Sequence, residues 1–249
     1  MTRDQAVVRG RSIVGAVVGI AVLAGCTSTV DGSGARQDQG VVLRDLAEVL
    51  PTGAEVSRAA GNPLSDSEPP TVGGIDVLPN GIRDNAAADP IECLGPATPF
   101  MRVVYEVGDV RRAAWQEFSN FGGGQTVSSV DAGVVQFASN AEAQRMFGAF
   151  VTQWKACEGK TVRSALPDPP GAEMRQKVTN VKVDGPTLSA TVINSDNQGD
   201  ASFPTERAIG LAADCVVDVD AAVTGGQRRP AERAVSLART MLDKVDHGR

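Results

Sequence analysis

Apolar residues along the chain recur with two different periods, and the helical one is clearest in "SNAEAQRMFGAFVTQWKAC". There Ala143, Met146, Phe147, Phe150, Val151 and Trp154 fall at i, i+3, i+4, i+7, i+8 and i+11, which predicts an amphipathic helix with one continuous apolar face. Ser139 followed by Glu142 predicts a capping box at its start, and Gly159 predicts its end. Cys157 comes three residues after Trp154, on the same inward face. A shorter stripe, Val42, Leu46 and Leu50, is stopped by Pro51, and a second short helix is expected over about 53 to 60. The last helix is predicted to begin at Pro230, with Ala234, Leu237, Ala238, Met241 and Val245 on one side.

Strands are predicted at about 110 to 118, 127 to 138, 161 to 166, 174 to 183, 187 to 194 and 206 to 220, separated by turn-rich segments such as "VDGPT". Residues 61 to 91 hold five Pro with several Gly, Asp and Asn, too many breakers for a long regular element. Turns this short leave no room for crossover helices. The order therefore predicts an α+β fold, an antiparallel sheet with helices packed on it.

The first residues follow another logic. Arg3, Arg9 and Arg11 precede an uncharged, mostly apolar run, Ile13 to Leu23, too short for the roughly 20 residues of a membrane-spanning helix. That is a signal peptide's shape. Leu23-Ala24-Gly25-Cys26 resembles the bacterial lipobox, which implies cleavage after residue 25 and lipidation of Cys26. Two acyl chains on one residue suffice for stable anchoring. The expected organisation is a signal peptide over 1–25, a small, polar, flexible tether over 26–39, and one folded domain over 40–249. The expected location is the extracytoplasmic side of the cell membrane, with the membrane itself a partner through the lipid.

Charge and composition narrow the function. Residues 1 to 25 hold three Arg and one Asp, so their removal takes the formal charge from -6 to -8. Without a basic footprint no nucleic-acid partner is expected. Arg greatly outnumbers Lys, and Ala, Gly and Val abound, as in the products of a GC-rich genome. His247 is the only histidine and sits in the C-terminal tail, which removes histidine-based triads and His-rich metal sites. "EGKT" at 158–161 lacks the first glycine of a phosphate loop, position 154 being Trp. "SDNQGD" at 195–200 has Arg207 where a calcium loop needs glutamate, and "FGGGQT" at 121–126 reads as a hairpin turn or loop. No catalytic residue, cofactor or metal is predicted. Arg102, Tyr105 and Trp115 are the candidates for lining a site, as residue types that often do, against their commoner role in packing.

From Cys93 onward the chain carries "CLGPATPFMRVVYEVGDVRRAAWQEF", "VVQFASNAEAQRMFGAFVTQWKACEGKTV", "ERAIGLAADCVVDVDAAV" and "AERAVSLARTMLDKV". These segments resemble the PknH-like extracellular sensor domains of mycobacterial receptor kinases and free-standing lipoproteins. No His-Arg-Asp or Asp-Phe-Gly kinase motif is present. The resemblance, from about 40 to 246, implies a single α+β domain with a central cleft, an unidentified extracellular ligand and no known catalysis. It also implies a disulfide between Cys93 and Cys157, in keeping with an oxidising compartment. A second bridge usual in the family would fall at Thr205 and Ala222, where this chain has no cysteine, so the strands there are expected to be looser. Cys215 then reads as a buried thiol outside any bridge, sharing a strand face with Ile209, Leu211, Ala213, Val217 and Val219.

The expected function is a membrane-anchored extracytoplasmic lipoprotein that binds a small-molecule or cell-envelope ligand in a cleft and is not an enzyme. The alternatives are a cell-envelope interaction or structural lipoprotein without a small ligand, marked by a flat exposed apolar patch, and a hydrolase using carboxylates alone. Two close carboxylates with raised pKa values would mark the last.

Overall fold

In the computed structural model, which describes residues 45–248 apart from 67, 167, 200 and 225–230, the first element is a single 3-10 turn, Leu46–Val49. The predicted signal peptide, Cys26, the tether, Val42 and Pro230 lie outside the described residues. Helix α1, Gly53–Ala60, follows where it was expected. Thr52 and Glu55 cap it reciprocally, each side chain accepting from the other's backbone N–H.

Among the described residues between 61 and 91 the only strands are β1 (Ser65–Asp66), β2 (Thr71–Gly73) and β3 (Ala88–Asp89), in keeping with the density of Pro and Gly. Two one-turn helices, α2 (Leu94–Ala97) and α3 (Arg102–Tyr105), lead into β4 (Val110–Ser119) and β5 (Val127–Phe137). Helix α4 (Asn140–Cys157) precedes β6 (Thr161–Ala165), β7 (Glu173–Asp184), β8 (Thr187–Asp196), β9 (Phe203–Ala212) and β10 (Cys215–Val223). Helix α5 (Glu232–His247) closes the chain.

All strand pairs are antiparallel, in the order β1-β4-β5-β10-β9-β8-β7-β6-β3, with β2 also on β4. Strands of two or three residues cover both flanks of the sheet, which blunts the edges against pairing with another chain. Because side chains alternate across a strand, the sheet separates two cores. On the back face α1, the first turn and α5 bury Phe118, Val130, Ala132, Val217, Val219 and Leu237. On the front face α4 buries Val135, Phe137, Val178, Leu188, Ile209 and Val216 under Phe147, Phe150 and Trp154.

The strand expected over 206 to 220 is a hairpin instead. β9 and β10 pair from Thr205↔Ala222 to Ala212↔Cys215 around a turn at Ala213 and Asp214. The segment "LAADCV" has none of the Gly, Asn or Pro that announce a turn. Ala213 itself takes the left-handed conformation, at φ 52°. The reversal also changes facing: Cys215, Val217 and Val219 lie in the back core, and Ile209 packs in the front one. Cys215 is a buried thiol donating to the carboxylate of Asp214.

Thr205 and Ala222 stand directly opposite each other, so a bridge there would staple this hairpin. β9 and β10 occupy the middle of the sheet rather than an edge. Asn194 donates to the Thr205 hydroxyl at 2.7 Å, a buried polar tie to the neighbouring strand β8.

At α4 the predicted capping box is only half formed. Ser139 accepts from the Glu142 N–H, but the Glu142 carboxylate is taken by Arg145 and the Asp109 N–H. Helix α5 has no side-chain cap of its own and begins after Ala231 at φ 59°. Its cap comes from the sheet: the buried carboxylate of Glu206 accepts from Arg233 N at 2.6 Å, Ala234 N at 3.2 Å and Arg233 Nη1 at 2.6 Å. A negative charge at this point satisfies orphan N–H groups and suits the positive end of the helix dipole. Glu206→Ala is expected to cost about 2 kcal/mol in urea unfolding through the lost cap and the unpaired Arg233. Glu206→Gln, which keeps an acceptor, should cost less. Equal effects from the two would show that the cap contributes little.

Candidate functional site

Strand register places four charged residues in one row across the front face: Glu117 on β4, Asp131 on β5, Asp220 on β10 and Arg207 on β9. The next row holds Trp115, Gly133, Asp218 and Ile209. The first row runs from solvent into the interior, with Glu117 exposed, Asp131 half-buried, Asp220 9% exposed and Arg207 fully buried.

Arg207 is the anchor of this cluster. Its Nη1 donates to Asp218 at 2.7 Å and to the Val219 carbonyl at 3.0 Å. Its Nη2 donates to the Gly95 carbonyl at 3.1 Å, and Nε donates to that of Pro96 at 3.4 Å. Asp220 lies 4.0 Å from Nε, and the guanidinium sits 5.5 Å from the centre of the Trp154 ring. Two of these acceptors are carbonyls of α2, groups that a helix end leaves without internal partners. Burial works against the charge, but Asp218 and Asp220 beside it hold the guanidinium more firmly protonated than usual.

Helix α2 reaches that position through α4. The Cys93–Cys157 bridge ties the residue preceding α2 to the last residue of α4, with a Cα–Cα distance of 5.5 Å. A Cβ at Gly95 would lie 2.7 Å from Gln153 Oε1, the mobile end of a side chain on α4, so the two elements pack closely there. Beyond α2 the chain crosses the front face at Phe100, whose ring occupies the space above Gly133, 2.6 Å from where a Cβ would be. Phe100 stacks on Trp115 at 6.3 Å, and its N–H donates to Asp218.

The three predicted site residues are distributed through this structure rather than gathered around one cavity. Tyr105 is almost wholly buried; its hydroxyl donates to Asp218 at 2.7 Å and its ring meets Phe150 edge-on. Burial, then the Asp218 charge and hydrogen bond, push its pKa well above the ordinary phenol range. Arg102 donates to the backbone carbonyls of Asp76 and Leu78 and so ties down the segment before it. Trp115 donates to the Val77 carbonyl at 3.1 Å and lines a recess of about 210 Å³ with Glu68, Pro69, Thr71, Gln116 and Glu117. That recess exists because β1 and β2 pair with β4 on either side of Gln116 and Glu117, and residues between them leave the edge. Of the three, Trp115 adjoins the outer end of the charged row and Tyr105, through Asp218, its buried end.

Asp131 and Asp220 are the unusual members. They are Cα partners on neighbouring strands, and neither accepts a hydrogen bond from any described residue. Burial and then the Glu117 charge raise the Asp131 carboxyl to about 6. Burial raises Asp220 further, to about 8, with Arg207 opposing and Asp131 and Asp218 reinforcing the shift. Three carboxylates, Asp218, Asp220 and Asp131, thus lie in the field of one guanidinium, and two of them hold protons far above the ordinary range. The sign expected of paired carboxylates is present. The sequence signal was an acid at every second position of "VVDVDAA", in a strand otherwise apolar on both faces. Among the described residues no His, Cys, Asp or Glu cluster is arranged to hold a metal ion, and no helix is long and apolar enough to cross a membrane.

No curated protein matches the chain. Among solved structures, the extracellular domain of PknH from Mycobacterium tuberculosis superimposes with a TM-score of 0.69 at 22% identity, covering 84% of this chain and 99% of that one. An uncharacterized protein from Mycobacterium smegmatis aligns at 14% identity with a TM-score of 0.42, over 81% of this chain and 96% of that one. The family described as PknH-like extracellular domain matches residues 42–244, nearly the whole of the described fold. An antiparallel sheet with α4 and the bridged α2 on one face and α5 on the other is therefore the architecture of a known group, and this chain belongs to the PknH-like extracellular domains.

Proposed function

We propose that the protein is a lipid-anchored, extracytoplasmic ligand-binding domain, acylated at Cys26, that uses the front-face row as its recognition surface. The observation that supports this reading is the Asp131–Asp220 pair, partly or largely buried, without hydrogen-bond donors, beside the Trp115–Glu117 recess. Neither carboxylate is among the buried polar atoms left without a partner, so both reach solvent and are open to a donor from outside. A ligand carrying an ammonium or another cationic donor supplies what is missing, and the Trp115 recess receives its uncharged part.

The competing readings are weaker on particular grounds. Among the described residues the exposed large apolar side chains are few, Val72, Val107, Phe121, Val183 and Phe203, and fall in separate segments. A carboxylate-only hydrolase is favoured by one observation, the raised pKa values of Asp131 and Asp220. Both groups, however, rise side by side from one face of a sheet, whereas acid and nucleophile must flank the bond they break.

Titration supplies the test. A carboxyl whose folded pKa lies above its unfolded value binds more protons in the folded state, so stability falls as pH rises between the two. The apo domain should lose stability between about pH 4 and pH 8, and Asp131→Asn with Asp220→Asn should flatten that slope. Native mass spectrometry of the mature protein, taken from its own envelope near pH 8, should show a small-molecule adduct that the double variant lacks. An apo mass in the wild type, accompanied by a co-purifying protein, would support the interaction reading instead.

A further inference from the structure

A recess larger than that beside Trp115 is on the opposite face from the carboxylate row. It is a groove of about 620 Å³ between α5 and the β7–β8 hairpin, whose floor is Thr187 and Ser189 and whose rim carries Lys182, Asp184, Ser236 and Arg239. A second recess of about 300 Å³ shares Asp184, Thr187 and Arg239 with it, so the two flank the Arg239–Asp184 ion pair, which closes at 2.7 Å.

The floor is polar. Thr187 is 3% exposed and Ser189 is 8% exposed, and their hydroxyls, without a hydrogen-bond partner among the described residues, face the groove and its water. The stripe continues along β8 to Thr191, opposite Glu206, whose hydroxyl is buried and also without a partner. A groove floored by hydroxyls open to it offers both donors and acceptors.

What fits is set by what the groove lacks. Val235 and Ala231 are its only apolar lining residues, so a lipid tail or an apolar peptide side chain has little to bury against. β8 is paired on both sides, by β7 and β9, so an extended peptide finds no strand edge to extend. Three carboxylates, Asp184, Glu232 and Asp243, outnumber Lys182 and Arg239, which disfavours an anion. The N–H groups at the start of α5 are already occupied by Glu206. Mixed hydroxyls, carboxylates and cations in a wet groove match a neutral molecule that is itself rich in hydroxyls, whose groups can replace bound water one for one.

We infer that the groove between α5 and the β7–β8 hairpin is a second ligand site, taking a neutral polyhydroxylated molecule such as a short saccharide. The lining hydroxyls bond the ligand's own hydroxyls, Asp184 and Asp243 accept from them, and Arg239 and Lys182 donate to them.

Titration of the isotopically labelled mature domain with myo-inositol, trehalose and maltotriose, each to about 100 mM, followed by amide NMR, tests the inference. At least one should give saturable shifts at Thr187, Ser189 and Ser236, while resonances of Asp131 and Asp220 stay still. Thr187→Val with Ser189→Ala should weaken that binding at least tenfold. Asp131→Asn with Asp220→Asn should leave it unchanged, which separates this site from the front-face one. If the floor variant misfolds, Ser236→Ala and Arg239→Gln, both at exposed positions, should each weaken binding several-fold. The inference is overturned if none of the three probes binds, if shifts map away from the groove, or if glucose 6-phosphate binds where the neutral probes do not.

Discussion

Replacing Arg207 by methionine is expected to destabilise the domain by about 3 to 5 kcal/mol, the usual range for removing one partner of a buried ion pair. Asp218 would keep only the Tyr105 hydroxyl and the Phe100 N–H as donors, and the Gly95 carbonyl would lose the donor that Arg207 supplies. At about 2 to 4 °C per kcal/mol for a domain of this size, the melting temperature should fall by roughly 10 °C. Asp220 adds little to the loss, because its carboxyl already titrates near 8 and stays protonated at neutral pH once the guanidinium is gone. Arg207→Met combined with Asp218→Asn should therefore recover part of the stability, since an amide is cheaper to bury than an unpaired carboxylate. Melting by circular dichroism distinguishes the cases. A loss near 1 kcal/mol, of the size found for exposed pairs, would show that the cluster is wetter than its geometry indicates.

What could be read from the chain follows the range of the interactions involved. Helix α4 was legible from Ala143 to Cys157 because its apolar face and its Ser139 start are local patterns. Strands β4 to β8 were legible because Gly, Pro and Asp punctuate them. The β9–β10 turn was not, because Ala213 adopts a left-handed conformation without being a residue type that prefers it. That single turn decided which face Cys215 shares, and with it which side of the sheet each charge occupies. Arg207 and Asp218, eleven residues apart, meet only because the hairpin reverses there, and Gly95 and Pro96 reach them from more than a hundred residues away. Periodicity indicated that Asp218 and Asp220 were misplaced in an apolar strand. It could not indicate which cation would meet them, because cross-strand register is a property of the whole sheet. Arg102, Tyr105 and Trp115 were chosen by residue type, and the structure uses them to pin residues 75–105 across the front face, with Trp115 lining an open recess and Tyr105 a small internal one beside Trp154 and Asp218.

That crossing segment depends on the disulfide. Replacing Cys93 and Cys157 together by alanine is expected to cost up to about 4 kcal/mol for a loop of this length on the chain-entropy model. The bridged residues are separated by 64 positions and both are buried, among Ala88, Leu94, Ala97, Met101 and Val162. This is a small core, and α2 is one turn long, so the bridge joins Arg207 and Gln176, which bond its carbonyls, in holding α2 in place. Its release should be felt at Arg207, which takes the Gly95 and Pro96 carbonyls as acceptors. The two perturbations are then coupled: in the bridgeless protein Arg207→Met should cost less than in the wild type, by about 1 kcal/mol or more, as for sites sharing one network. A double-mutant cycle read by urea unfolding measures that difference. Strict additivity would mean that α2 keeps its place without the bridge and that the disulfide acts on the unfolded chain alone. Coupling would mean that the bridge also positions the carbonyls that hold Arg207, and through Arg207 sets how strongly Asp220 keeps its proton. The front-face row would then be tuned from the bridge that fixes α2.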